Sequence, residues 1–346
     1  MRRVKIGVMG AGAIGCYVGG RLATIGHDVL FVGRPRLKGE LEETGITLEP
    51  VGGEAPTTTI PAVDLQYETD PARLADRDVV LVCVKSAQTA EVGPELAKIL
   101  PPNVLVVSMQ NGVRNADVLR ESLEGQGRVL GGIVGFNVVV KEHGTFRRAT
   151  TGPLVIEHSD DARIIELADA LERGGFEMVL ARDIRGVQWS KLIMNLNNAV
   201  SALTDAPTPR LVFDKRYSKI LVAVMKEALD VLKAAGVTPK KLGPLPVQLF
   251  PLVLRLPSPV LKVVARVQLE IDPEARSSMW EDLTRRRPTE VDWLNGEIVR
   301  VAKSAGVKAP LNERIVELIR EAEKAGAGSP KMPPEELYAR LTAGLA

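Results

Sequence analysis

With two cysteines and three histidines in 346 residues, the chain lacks the means for several kinds of chemistry. Cys16 and Cys83 both sit inside apolar stretches and read as small buried side chains, not as a disulfide or a thiolate site. His27, His143 and His158 are scattered, so no metal cluster can be assembled around them. Excess charge is also missing, and a net charge of +2 signals neither a nucleic-acid partner nor a membrane surface. Long apolar runs are missing too. Met1 to Lys5 has the cations of a secretory leader, but the apolar stretch behind it is short and interrupted by glycine, which leaves a cytoplasmic location as the default expectation. The remainder, 45% apolar and 25% charged, is an ordinary globular composition on a chain long enough for two domains.

Glycine is plentiful, and its placement is informative. The apolar stretch Val4 to Met9 runs straight into Gly10-Ala11-Gly12-Ala13-Ile14-Gly15, a G-x-G-x-x-G following a strand. Gly10 permits a tight turn, Gly12 a close approach of backbone to a diphosphate, and Gly15 the packing of the next helix on the sheet. Cys16 to Ile25 reads as that helix, Gly26 ends it, and His27 to Arg34 supplies the second strand of a βαβ unit. A diphosphate would lie at the helix N-terminus, where free amides and the dipole favour negative charge. An NAD site usually carries a carboxylate at the end of the second strand. Here Val32-Gly33-Arg34 and Arg36 stand instead, and no acid occurs before Glu40. A guanidinium suits a 2′-phosphate, so the expected cofactor is NADP(H); a merely solvated Arg34 is the alternative.

Asp78 to Val84 and Asn103 to Met109 are continuous valine-rich runs, the pattern of parallel strands covered on both faces. Ala90 to Leu100 reads as the crossover helix between them. Arg128 to Val140 and Gly152 to Glu157 read as further strands joined through the Gly144 turn, with an antiparallel far edge. Beyond about residue 180 the periodicity becomes helical, in Val187 to Leu203, Ser218 to Ala235, Glu290 to Ala305 and Leu311 to Ala325. The expected architecture is α/β, with a Rossmann-type dinucleotide domain over residues 1–182 and an all-helical domain over 183–346. In such folds ligands lie at the carboxyl ends of the strands, in the cleft between domains. Lys85 to Gln88 and Asn111-Gly112 both follow strand ends there, and each reads equally well as a plain turn.

In the helical half, Lys191, Asn195 and Asn198 stand at i, i+4 and i+7, which puts an ammonium and two amides on one face of an otherwise apolar helix. A lysine desolvated in this way has a lowered pKa and can protonate a developing alkoxide, although a lysine snorkelling to water would show the same spacing. Further on, Ser277 and Ser278, three arginines at 285–287 and Glu290 form a second polar cluster, within which Glu290 could also simply start a helix after Pro288.

Taken in order, G-A-G-A-I-G, V-K-S-x-Q-T at 84–89, Q-N-G at 110–112, K-L-x-x-N at 191–195, S-S-M at 277–279 and T-E-V-D-x-L-N-G at 289–296 resemble the ketopantoate reductase family over nearly the whole chain. The resemblance implies a helical second domain of the 6-phosphogluconate dehydrogenase C-terminal type and NADPH-dependent reduction of a 2-oxo acid in pantothenate biosynthesis. It assigns Lys191 as the proton donor to the C2 carbonyl and Glu290 as a carboxylate beside substrate and cofactor. Asn111, Asn195, Asn198 and Ser278 become substrate contacts. The loop Gly10, Ala11, Gly12, Ala13, Ile14 and Gly15, with Arg34, Lys85, Gln88, Asn111 and Glu290, becomes the cofactor site.

Two departures stand out. Where the family often has an asparagine eight residues after the lysine, this chain has Ala199, with asparagines at 197 and 198. The stretch Lys240 to Ala275 is longer and more apolar than in compact members, and would reshape the substrate cleft or form a contact in a homodimer. Reduction of a different 2-oxo acid, a β-hydroxyacid or opine-type dehydrogenase, and a non-catalytic NADP-binding sensor are the competing readings. The set Lys191, Asn195, Ser278 and Glu290 argues against the sensor, which needs no proton donor.

Overall fold

A computed structural model of the chain describes residues 4–51, 56–257, 260–261 and 276–345. The chain divides into two compact units, Met1–Ile184 and Arg185–Ala346.

The first unit is built on an eight-stranded sheet. Its strands are β1 (Lys5–Met9), β2 (Asp28–Val32), β5 (Gln66–Glu68), β6 (Val79–Val82), β7 (Val104–Ser108), β8 (Gly127–Val134), β11 (Leu154–Glu157) and β12 (Met178–Ala181). They lie in the order β12-β11-β8-β7-β6-β1-β2-β5. All pairs from β5 to β8 are parallel, β11 is antiparallel to β8, and β12 is parallel to β11. The valine runs follow from two-sided burial. In β6, Val79 and Leu81 enter one core with Tyr17, Val18 and Leu22 of the helix Ala13–Thr24, while Val80 and Val82 enter the other with Val92 and Leu96 of the helix Thr89–Ile99. With side chains alternating at period two and a helix layer on each face, every position of such a strand must be apolar. From β1 the order runs to β2 on one side and to β6 on the other, so the topological switch point, where open α/β sheets bind ligands, lies between β1 and β6.

One expected strand proves to be two. Arg128 to Val140 breaks at Gly135, where a Cβ would stand 2.4 Å from the carbonyl oxygen of Pro153. Beyond the break, β9 (Val138–Val140) leaves the main sheet and joins β10 (Thr145–Arg148), β3 (Ile46–Glu49) and β4 (Thr58–Ile60) in a separate sheet of order β4-β3-β10-β9.

Among its described residues the second unit contains helices, joined by turns and coil, and no strand. Its core gathers Leu192, Ile193, Leu196, Val200, Ile220, Val224, Ile298, Ile315 and Ile319, all essentially inaccessible to solvent. The longest helix among the described residues, Lys215–Ala234, starts earlier than the apolar periodicity indicates, because the Asp214 carboxylate accepts the Arg216 amide at 3.0 Å and caps it. Pro310 opens the helix Pro310–Ala325, and Gly326 closes it at φ 61. Two expected helices are altered. Val187 to Leu203 is resolved into Ile184–Asn195 and Asn197–Thr204, separated at Leu196, whose amide bonds the Ile193 carbonyl at 3.3 Å. Asparagines stand at 195, 197 and 198 around this step, a residue type that favours turns over helix interiors. Glu290 does not begin an α-helix. It precedes a single 3₁₀ turn, Val291–Trp293, and the α-helix starts only at Asn295 after the irregular Leu294. Of the apolar stretch 240–275, residues 258–259 and 262–275 lie outside the described residues. No helix is long and apolar enough to cross a membrane among the described residues.

Candidate functional site

Each glycine of the first loop has a distinct surrounding. Gly10 adopts φ +99, and a Cβ there would stand 2.5 Å from the Val84 amide nitrogen. It therefore supplies a left-handed turn and also lets the loops after β1 and β6 close together at the switch point. The amides of Gly10 and Ala11 both donate to the Val32 carbonyl at 2.9 Å, fastening this loop to the end of β2. At Gly15 a Cβ would meet the Gly10 carbonyl oxygen at 2.4 Å, so the helix can approach the turn only without a side chain. Gly12 differs from both, since no atom lies within 4 Å of the place its Cβ would occupy. The helix Ala13–Thr24 begins beside this open space with no side-chain cap. Uncapped first-turn amides, the positive end of the helix dipole and free space fit a diphosphate.

At the end of β2, Arg34 and Arg36 are exposed. Neither forms an ion pair among the described residues. The nearest carboxylate on the adjoining strand, Glu68, is engaged by Lys38 at 3.3 Å and Arg73 at 3.7 Å. The rim of the loop therefore offers free guanidinium groups and no free carboxylate, a donor set that fits a 2′-phosphate.

Lys85 and Gln88 in the loop after β6, and Asn111 in the loop after β7, flank a buried polar network that joins the two loops. The Ser86 hydroxyl donates to the Asn111 carbonyl at 3.0 Å, and the Asn115 amide nitrogen donates to that same carbonyl and to Ser86 Oγ. Thr89 Oγ1 donates to Asn115 Oδ1 at 2.9 Å and accepts from Gln110 Nε2 at 2.7 Å. Gln110 completes its bonding with the Val84 carbonyl and the Ser108 hydroxyl. Every polar atom of both buried amides is thus satisfied, and a network of this kind is rigid because breaking any member strands another. It ties the loop after β6 to the loop after β7. Ser86, Thr89 and Gln110 lie within the sequence motifs, whereas Asn115 gives no signal in the sequence.

In the second unit, Lys191, Asn195 and Asn198 lie on the partly exposed side of their two helices, while Leu192, Ile193, Leu196, Ala199 and Val200 point into the core. Among the described residues Lys191 makes no hydrogen bond or ion pair. Desolvation lowers its pKa from 10.5 to about 8. Glu290, half-buried, has bonding of its own but is not paired with Lys191. Ser278 comes close to Asn198 through its neighbour. Ser277 caps the helix Ser278–Thr284 by accepting the Trp280 amide at 3.1 Å, and donates its hydroxyl to the Asn198 carbonyl at 2.9 Å. Ser278 itself is exposed. Of the three arginines, Arg285 pairs with Glu281 at 2.6 Å, and Arg286 turns the chain at φ 52.

Comparison with known proteins identifies a family. Residues 6–161 match the family model described as ketopantoate reductase PanE/ApbA, and residues 183–323 match the model of its C-terminal region. A 2-dehydropantoate 2-reductase of Pyrococcus horikoshii is 29% identical over 334 residues, which span 94% of this chain and 100% of that one. The crystal structure of a PanE/ApbA family ketopantoate reductase from Ralstonia eutropha JMP134 is 32% identical, with a TM-score of 0.78 over 93% of this chain and 99% of that one. The fold is shared more widely. A D-mandelate dehydrogenase structure with NADH and anilino(oxo)acetate superposes at a TM-score of 0.76 with 20% identity, covering 93% of this chain and 99% of that one.

Proposed function

The chain belongs to the ketopantoate reductase family, and from that premise we propose that it reduces the 2-oxo group of ketopantoate to the hydroxyl of pantoate, with NADPH as the reductant, in pantothenate and coenzyme A biosynthesis. The observation that carries the reading is Lys191, a desolvated, unpaired ammonium on the helix that also carries Asn195, with Asn198 on the next helix. With a pKa of about 8 it is mostly protonated at neutral pH, yet a far better proton donor than an ordinary lysine. NADPH, when bound, supplies the hydride.

The remaining roles follow from the side chains. Lys191 gives its proton to the carbonyl oxygen as negative charge develops on it, producing a 2-hydroxy acid. Asn195, Asn198 and Ser278 offer neutral donors and acceptors that orient the acid without competing for the proton, and Glu290 adds a carboxylate on the substrate and cofactor side. The amides of the Gly10–Gly15 loop hold the diphosphate, and Arg34 holds the 2′-phosphate and selects NADPH over NADH. Lys85, Gln88 and Asn111 line the loops fixed by the Gln110–Asn115 network.

The test follows NADPH consumption with ketopantoate and with 2-oxo acids bearing linear, branched and aromatic side chains, for the native protein and Lys191→Ala. Ketopantoate is expected to be the best substrate, with turnover in the variant lower on the order of 10²–10⁴. Good turnover of another acid with none of ketopantoate would overturn the substrate, and equal rates in the variant would overturn the role of the lysine.

A further inference from the structure

Asp205 terminates the helix Asn197–Thr204 in the left-handed region at φ 57, a conformation that short polar residues tolerate better than other non-glycine residues. Its bonds reach well beyond the helix end. Oδ1 accepts from Arg276 Nη1 at 2.7 Å and from the Trp280 indole N–H at 2.7 Å, and the Asp205 carbonyl accepts from the same Arg276 nitrogen. The Arg276 guanidinium lies over the Trp280 ring, 4.6 Å from its centroid. At the other end of the same helix, Ser277 is bonded to the Asn198 carbonyl. The segment 276–280 is thus fastened at both ends of the helix that carries Asn198, through Arg276, Ser277 and Trp280. Of the two residues between Ser277 and Trp280, Met279 is buried, and Ser278 is exposed with no side-chain bond among the described residues. One attachment would let the segment pivot; two separated attachments fix where Ser278 stands relative to Asn198 and in which direction it faces.

We infer that Asp205 is a positioning residue for the substrate acid, acting through Arg276 and Trp280 on Ser278. The inference rests on the proposed contact between Ser278 and the substrate. Asp205→Asn keeps the size, the tolerance for a left-handed backbone and an acceptor for Trp280, but removes the charge that holds Arg276. In that variant KM for the 2-oxo acid is expected to rise about tenfold, while KM for NADPH stays unchanged and kcat changes little. Ser278→Ala is expected to raise the same KM, and adding Asp205→Asn to it should raise KM no further, because the effect runs through the serine. Trp280→Phe, which removes the indole donor and shrinks the ring beneath Arg276 while leaving Asp205 intact, should give a smaller rise in the same direction and serves where Asp205→Asn fails to fold. A rise in KM with Ser278→Ala but none with Asp205→Asn or Trp280→Phe would overturn this inference alone, as would independent, multiplying effects in the double variant. An unchanged KM in Ser278→Ala would overturn the substrate contact itself, and the inference with it.

Discussion

Replacing Lys191 by methionine removes the ammonium while keeping an unbranched chain of similar length, and should move activity and stability in opposite directions. The pKa of Lys191 falls from 10.5 to about 8 because its charged form is desolvated, with no partner to compensate. At about 1.4 kcal/mol per pH unit, holding the charged lysine in the folded protein costs up to about 3 kcal/mol, less whatever its partial solvent contact recovers. Between pH 8 and 10.5 the unfolded chain keeps this proton and the folded chain has lost it, so stability rises with pH across that window. The deficit is complete below pH 8 and gone above 10.5. Lys191→Met should therefore be more stable than the native protein by about 1–3 kcal/mol at pH 7, the advantage shrinking toward pH 10.5. The native rate of reduction should fall as pH rises through about 8, since the donor must be protonated, and the variant should be slower by roughly 10²–10⁴ with no such inflection. Denaturant titrations at pH 7 and pH 10, with NADPH consumption measured across the same range, supply both halves. A native-like rate in Lys191→Met, or a native pH profile that is flat through 8, would refute the assignment.

The loop glycines should separate folding from binding. Gly10→Ala meets both a left-handed φ and the Val84 backbone, so thermal unfolding should show a loss of about 1–3 kcal/mol. Gly12→Ala meets no atom within 4 Å and should leave the melting temperature unchanged, while NADPH titration shows affinity weaker by ~10-fold or more. Arg34→Glu should raise KM for NADPH by roughly 10–100-fold and narrow or reverse the preference over NADH, measured as the ratio of kcat/KM values. Asn115→Ala leaves Ser86, Thr89 and the Asn111 carbonyl short of partners, and should cost about 1–3 kcal/mol in a thermal melt while raising KM for the cofactor, the substrate or both.

What could be read from the sequence follows the range over which each signal acts. β6 and β7 were legible because burial on both faces writes itself into every position of Val79–Val82 and Val104–Ser108. The strands β3, β4 and β5 were not. Each has three or four residues, and what stabilises it is pairing with a distant segment, as between Thr47 and Thr145, which leaves no local period. The step at Leu196 was hidden because the apolar positions on either side keep a near-helical spacing, and only the cluster of asparagines hints at it. Lys191 was a visible candidate by its place on an apolar helix, but its lack of a partner is a tertiary fact. Asn115 and Asp205 had no signal at all, for their importance lies entirely in what folding brings to them: the Asn111 carbonyl in one case, Arg276 and Trp280 in the other.

The most direct test of the proposed reaction is isotopic. NADPH carrying deuterium at the transferable C4 position is incubated with the protein and ketopantoate, and the product is examined by mass spectrometry. One deuterium at C2 of pantoate, with unlabelled product when the label is on the opposite face of the same carbon, is the expected result. Pantoate without deuterium from either labelled cofactor, or no pantoate at all, would contradict hydride delivery to the 2-oxo group.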